Sequence, residues 1–199
     1  MNLIERAKNI IISPAKEWDI IAAEQPDTGK IITGYVLPLA GAAALAAFIG
    51  YGFITTRYLG GINWGIYYAV YALISAIVGV FISAFVIDAL APSFGSEKNM
   101  GRSVQLVSYS YTPFWVGGLL AILPIIAFLG VIAGLYGFYL LYIGMPKLKK
   151  TPPDKHAGYF VVSLLVMIAV YFILGLIMAR LLMPAMGLYY GGSSINLSY

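Results

Sequence analysis

The sequence predicts an all-α, polytopic membrane helix bundle of five transmembrane helices preceded by short N-terminal amphipathic interfacial helices. Three observations lead there. Hydrophobic residues make up 61% of the 199 and charged residues 10%, with a mean hydropathy of +0.87, against about 25% charged in soluble domains. Residues 103–146 hold no Asp, Glu, Lys, Arg or His, a run of 44 residues. Ten of the twelve cations fall in three segments, 1–30, 98–102 and 147–155.

The uncharged run organises the rest. As one helix it would reach about 66 Å, twice the ~30 Å of hydrocarbon core. It therefore reverses, and Leu123-Pro124 is the place, because proline lacks an N–H and ends the helix before it. Two spans result, 104–123 and 125–143, joined as a hairpin with cations at both ends and none at its tip.

Residues 1–30 form the cytoplasmic segment. Leu3, Ala7, Ile10 and Ile11 share one helical face, opposite Glu5, Arg6 and Lys8. Ser13 then caps a second helix with Pro14 at its first position, and Trp18, Ile21 and Ala22 make its apolar stripe. Trp18 is either an anchor in the cytoplasmic interface, its ring apolar and its N–H wet, or a residue packed on the ends of the bundle. With charges spread through these 30 residues and no apolar h-region, a cleavable signal peptide is not expected.

The membrane domain, 31–199, follows. Its first span is 31–56, kinked at Pro38, with Ala42, Ala46 and Gly50 as a small-residue face for close packing in lipid. Arg57-Tyr58-Leu59-Gly60-Gly61 makes an exterior turn, and the second span is 62–91. A polar loop with Lys98 leads through Arg102 to the hairpin, in whose second arm Gly130 with Gly134 and Ala133 with Gly137 are spaced by four. A basic loop, 146–155, carries Lys147, Lys149 and Lys150. The fifth span, 157–183, stops at Pro184, and a Gly-, Ser- and Tyr-rich tail ends the chain at the exterior. The cation bias places the N-terminus in the cytoplasm and the C-terminus outside.

Little in the chain points to catalysis. It has no Cys and one His, which removes thiolate chemistry, disulfides and Cys- or multi-His metal sites. No catalytic residues, metal or cofactor are expected, and no nucleic-acid partner, because the positive charge is topological. Asp88 is the one carboxylate within a span. It is either a structural residue near the cytoplasmic end, paired with Lys98 or Arg102, or a ligand or proton site. In Ser108-Tyr109-Ser110-Tyr111-Thr112-Pro113-Phe114-Trp115, Pro113 frees the carbonyl of Tyr109, and Ser110 or Thr112 hydroxyls are placed to satisfy it. Asp88, Tyr109, Ser110, Tyr111 and Pro113 thus form a candidate polar site at a kink, read either as a polar-lined groove or as interhelical hydrogen bonding.

These features resemble the Yip family of Ypt/Rab-interacting membrane proteins. The likeness rests on Pro14 with Trp18, Tyr35-Val36-Leu37-Pro38-Leu39, Tyr109-x-Tyr111-x-Pro113 with Trp115, and Gly137-x-Tyr139 leading to Gly144 before a Lys-rich loop. The resemblance implies five spans, a cytoplasmic N-terminus and, in eukaryotic members, trafficking roles through Rab-type GTPases. This chain lacks their long polar N-terminal region and their Asp-Leu-Tyr-Gly-Pro motif, which argues against recruitment of a small GTPase and matches the short prokaryotic branch. The expected role is a non-enzymatic organiser of membrane lipids and membrane proteins, itself included as a homo-oligomer, in a prokaryotic cell membrane. The alternative is a small transporter or channel using the kinked third span and Asp88.

Overall fold

The computed structural model describes residues 2–55 and 61–185. The expected exterior turn around Arg57 and the tail at 186–199 lie outside the described residues. Two short helices, α1 (Leu3–Ile12) and α2 (Pro14–Ala23), meet at a single residue. Asn2 caps α1 by accepting the N–H of Glu5 at 2.9 Å. Ser13 occupies the expected N-cap position of α2, but its hydroxyl makes no cap bond.

The first apolar helix runs unbroken over Thr28–Ile54 and comprises α3 (Thr28–Ile31), a π-helical turn (Ile32–Val36), α4 (Leu37–Ile49) and a second π turn (Gly50–Ile54). The distortion expected at Pro38 is taken up just before it: Leu37 N–H bonds Ile32 C=O across the wider π ring. Of the small residues expected on its packing face, Ala46 and Gly50 are buried and Ala42 is exposed; the buried set is Ala40, Ala43, Ala44, Ala46 and Ala47.

Helix α5 (Ile62–Leu90) matches the second expected span and continues as a 3₁₀ turn, Ala91–Phe94. The third expected span is broken. Helix α6 (Met100–Ser110) and α7 (Thr112–Gly118) meet at Tyr111, and 3₁₀ turns at Leu119–Ile122 and Pro124–Ile126 make the reversal at Leu123-Pro124. The second arm, α8 (Phe128–Lys149), outruns its expected end by six residues and carries Pro146 inside it. Much of the expected basic loop is therefore helix, ended by Lys150 in the left-handed conformation at φ 49°. The last helix, α9 (Pro153–Ala185), starts earlier than expected and continues past Pro184.

Among the described residues, four helical stretches are long and apolar enough to cross a membrane: Thr28–Ile54, Ile62–Phe94, Phe128–Lys149 and Pro153–Leu181. The hairpin packs in a regular antiparallel register, seen where glycines let backbones meet. A Cβ on Gly130 would lie 2.7 Å from the Gly117 carbonyl oxygen, and one on Gly137 would lie 2.6 Å from that of Ser110. The core sits at the end that carries α1 and α2, around Trp18, Ile21, Leu106, Leu140, Leu141 and Met145. Helix α9 is the outlier, with 11% of its most apolar window buried.

Candidate functional site

Polar side chains gather in three places. The first is the expected carboxylate. Asp88 lies near the C-terminus of α5, where the helix dipole opposes a negative charge, and the facing N-terminus of α6 compensates. Asp88 Oδ1 accepts the Asn99 N–H at 2.7 Å, the Ser103 hydroxyl at 3.1 Å and Lys149 Nζ at 2.8 Å. Lys149 also donates to Ser103 Oγ at 2.8 Å and is 0% exposed. The partner is thus neither Lys98, which stands exposed, nor Arg102; nor is Lys149 a loop residue. It closes α8, where a cation complements the helix end, and the Glu97 N–H bonds its carbonyl at 2.9 Å. The pair ties α5, α6 and α8 together.

The second group is the break at Tyr111. Thr112 Oγ1 donates to the Tyr109 carbonyl at 2.7 Å, the satisfaction expected beside Pro113, and also hydrogen-bonds Tyr35 Oη at 2.7 Å. Tyr111 Oη bonds Ser83 Oγ at 2.7 Å and receives a bond from Tyr171 Oη at 3.2 Å. The kink is therefore held by hydrogen bonds to α5, α9 and the first apolar helix. Ser110 Oγ is buried with no partner. Beside the break, a pocket of about 330 Å³ lined by Ile11, Pro113, Val116, Gly117, Leu120, Ala133 and Tyr136 is apolar. Asp88 and the Tyr-Pro run do not form one site: Ser83 at the break is five residues from Asp88 along α5, a rise of about 7.5 Å.

The third group went unrecognised in the sequence. Arg6, expected on a solvent face, is buried; it bonds Glu17 Oε1 at 2.7 Å, bonds Glu24, and stands over the Tyr109 ring at 5.3 Å. Glu17 is buried too. Arg6 and Glu17 lie eleven residues apart on separate helices, so no local spacing betrays the pair. Trp18 corrects the anchor reading: it is 0% exposed, and its Nε1 is buried without a partner. It lies against Gly144, where a Cβ would come within 2.7 Å of the indole, and against Tyr109, edge to face at 6.4 Å. The bundle's side chains reach up to cap α1 and α2. Arg102 donates to the Glu24 carbonyl at 2.8 Å, Tyr136 to that of Ile11 at 2.9 Å, and Lys147 to that of Ala15 at 3.0 Å and to Asp19. Lys150 pairs with Glu97 at 2.7 Å at the surface. At the start of α3, Asp27 accepts the Lys30 N–H at 3.0 Å, and this bond holds its carboxyl below the usual carboxylate range.

The arrangement thus consists of internally satisfied ion pairs and a docked helical cap. A family model, the Yip1 domain, matches residues 8–177, from within α1 to within α9. The chain belongs to the Yip1 domain family. The Yip1 chain is also 25% identical over 142 residues, 67% of its own length and 73% of theirs, to the "Inner membrane protein YohC" of Escherichia coli K12 and of Escherichia coli O6:H1 strain CFT073. No solved structure matches it. Membership makes it an integral membrane protein of multi-pass helical type, and the family's span extends over α2, whose Trp18, Glu17 and Ile21 build the cap.

Proposed function

We propose that this Yip1 protein is a non-enzymatic organiser of membrane lipids and membrane proteins, copies of itself included, built as one five-span domain with a cytoplasmic N-terminal cap. The observation that carries the reading is the state of Asp88. The carboxylate that a transporter would use is held by three donors from α6, its N-terminal loop and α8, a geometry suited to fixing helices rather than to exchanging an ion. Locking the bundle leaves its surfaces as the working parts.

Five crossings are supported by which segments meet. The cap, the 91–99 loop and the end of α8 lie together, through Trp18 with Gly144 and Glu97 with Lys149. Gly50 meets the hairpin turn at Ala121 at the other end. An even number of crossings therefore separates each visit to the cap end, and α9 leaves it once more. The broken α6–α7 segment with its 3₁₀ turn, Met100 to Ile122, rises about 35 Å, enough to count as a crossing. The cation bias supports a cap end that faces the cytoplasm.

Two measurements test this. The natural chain has no cysteine, so single Lys8→Cys and Tyr199→Cys variants labelled in oriented vesicles should react from opposite sides; labelling from a common side rejects the topology. Asp88→Asn should lower the thermal stability of the purified protein and leave solute flux in proteoliposomes at background. Altered flux with unchanged stability would favour a transporter.

A further inference from the structure

The docked cap leaves a cleft of about 340 Å³ between α1, the segment after α2 and the start of the first apolar helix, a size at the lower end for small-ligand sites. Arg6, Glu24, Asp27 and Lys30 line it, with Tyr35 and Tyr109 among its inner residues. The first apolar helix begins at Thr28, so the cleft opens at the depth where headgroups meet the hydrocarbon. Two cations face two carboxylates. That balance gives a net anion no excess attraction and offers a zwitterion a partner at each end.

The individual groups refine the ligand. Glu24 is 39% exposed and is bonded to Arg6 through one oxygen, and a carboxylate has about four acceptor positions, so it can take further N–H donors. Lys30 is 87% exposed and paired with Asp27 at 3.5 Å; its ammonium has three N–H donors, so donors remain for a phosphate. The Tyr109 ring already carries the Arg6 guanidinium at 5.3 Å. A quaternary ammonium would depend on such an aromatic face, whereas a primary ammonium brings three N–H donors that suit Glu24. On the membrane side of the cleft, a Cβ at Gly34 would meet nothing within 4 Å. That opening gives a lipid's glycerol and chains a way out to the bilayer.

We propose that this cleft binds the phosphoethanolamine headgroup of a membrane phospholipid, its ammonium on Glu24 and its phosphate on Lys30. The assignment rests on the reading of the chain as an organiser of lipids with its cap at the bilayer surface, and it names the lipid.

The test reconstitutes the full chain in nanodiscs holding equal phosphatidylethanolamine, phosphatidylcholine and phosphatidylglycerol, and counts retained lipids by native mass spectrometry. Phosphatidylethanolamine should be enriched about threefold or more over each of the others, the scale of difference that one part-exposed, hydrogen-bonded ion pair supplies. Gly34→Leu builds outward from a position where a Cβ meets nothing within 4 Å; it should fill the opening and bring the enrichment down to the bulk ratio at unchanged melting temperature. Glu24→Ala, at a part-exposed side chain, removes the acceptor that takes the ammonium's N–H donors; it should do the same and stands in if the leucine variant is destabilised. Equal retention of the three lipids, preference for phosphatidylglycerol, or undiminished enrichment in both variants overturns the proposal. Soluble glycerophosphoethanolamine, added as a competitor, separates the sources: displacement assigns recognition to the headgroup alone, and persistence of the lipid assigns it to headgroup and chains together. If the Lys8→Cys label still reports a cytoplasmic cap while enrichment is absent, the lipid assignment fails alone; if the label is exterior, the organiser topology fails with it.

Discussion

Asp88 and Lys149 illustrate how little of a buried ion pair shows in sequence. The carboxylate stands out because every other acid lies outside the spans expected from the sequence. Its partner does not, since Lys147, Lys149 and Lys150 are the same residue type within four positions. Helical phase decides among them: Lys149 turns inward from the end of α8, Lys147 points to Asp19 on α2, and Lys150, past the helix end, meets Glu97. Removing one partner of such a pair leaves an uncompensated buried charge at a cost of about 3–5 kcal/mol. Lys149→Ala should therefore unfold far more readily in detergent, while the double variant Asp88→Asn/Lys149→Met should regain most of the loss. A double variant as unstable as Lys149→Ala alone would show that the other bonds of the group, not the charge pair, hold the helices.

At the level of elements, the break between α6 and α7 was legible and its bonding only partly so. Pro113 identifies the carbonyl that loses its donor, and Thr112 is one of two nearby hydroxyls able to serve it. That Thr112 rather than Ser110 does so, and that Tyr35 bonds the same hydroxyl across 77 residues, depends on packing. Thr112→Val keeps the shape but strips two buried partners of their bond, and a loss of about 1–3 kcal/mol is expected in thermal unfolding. The docking of α2 offers a second test. Gly144 lets the Trp18 ring lie on the α8 backbone, so Gly144→Leu should push the indole out, with a red shift in tryptophan emission and about 1–3 kcal/mol lost to overpacking. Unshifted emission would mean that α2 is held by its polar contacts alone.

For the whole molecule, the amphipathic pattern of α1 and α2 announces helices with an apolar face but not what covers that face. Lipid and protein satisfy it equally well by composition. Here the bundle covers it, so Trp18, Ile10 and Ile21 are fully buried while Ile4, at 74% exposed, faces away. The cap is thereby part of the fold, and the cleft at its edge exists only because the cap is docked. In contrast, α9 buries little of its apolar length, which in a membrane protein leaves that surface to lipid or to another span.

Membrane residence, the positions of the apolar segments, the reversal at Pro124 and the cation bias follow from composition and spacing alone, because a bilayer imposes one length and one polarity on any chain that crosses it. Which charged residues are partners, which way Trp18 faces and which hydroxyls hold the break in the third segment were settled by tertiary contacts. Those contacts join residues 11 to 128 positions apart on different helices, and helix phase and tilt are set by neighbouring helices rather than by any local pattern.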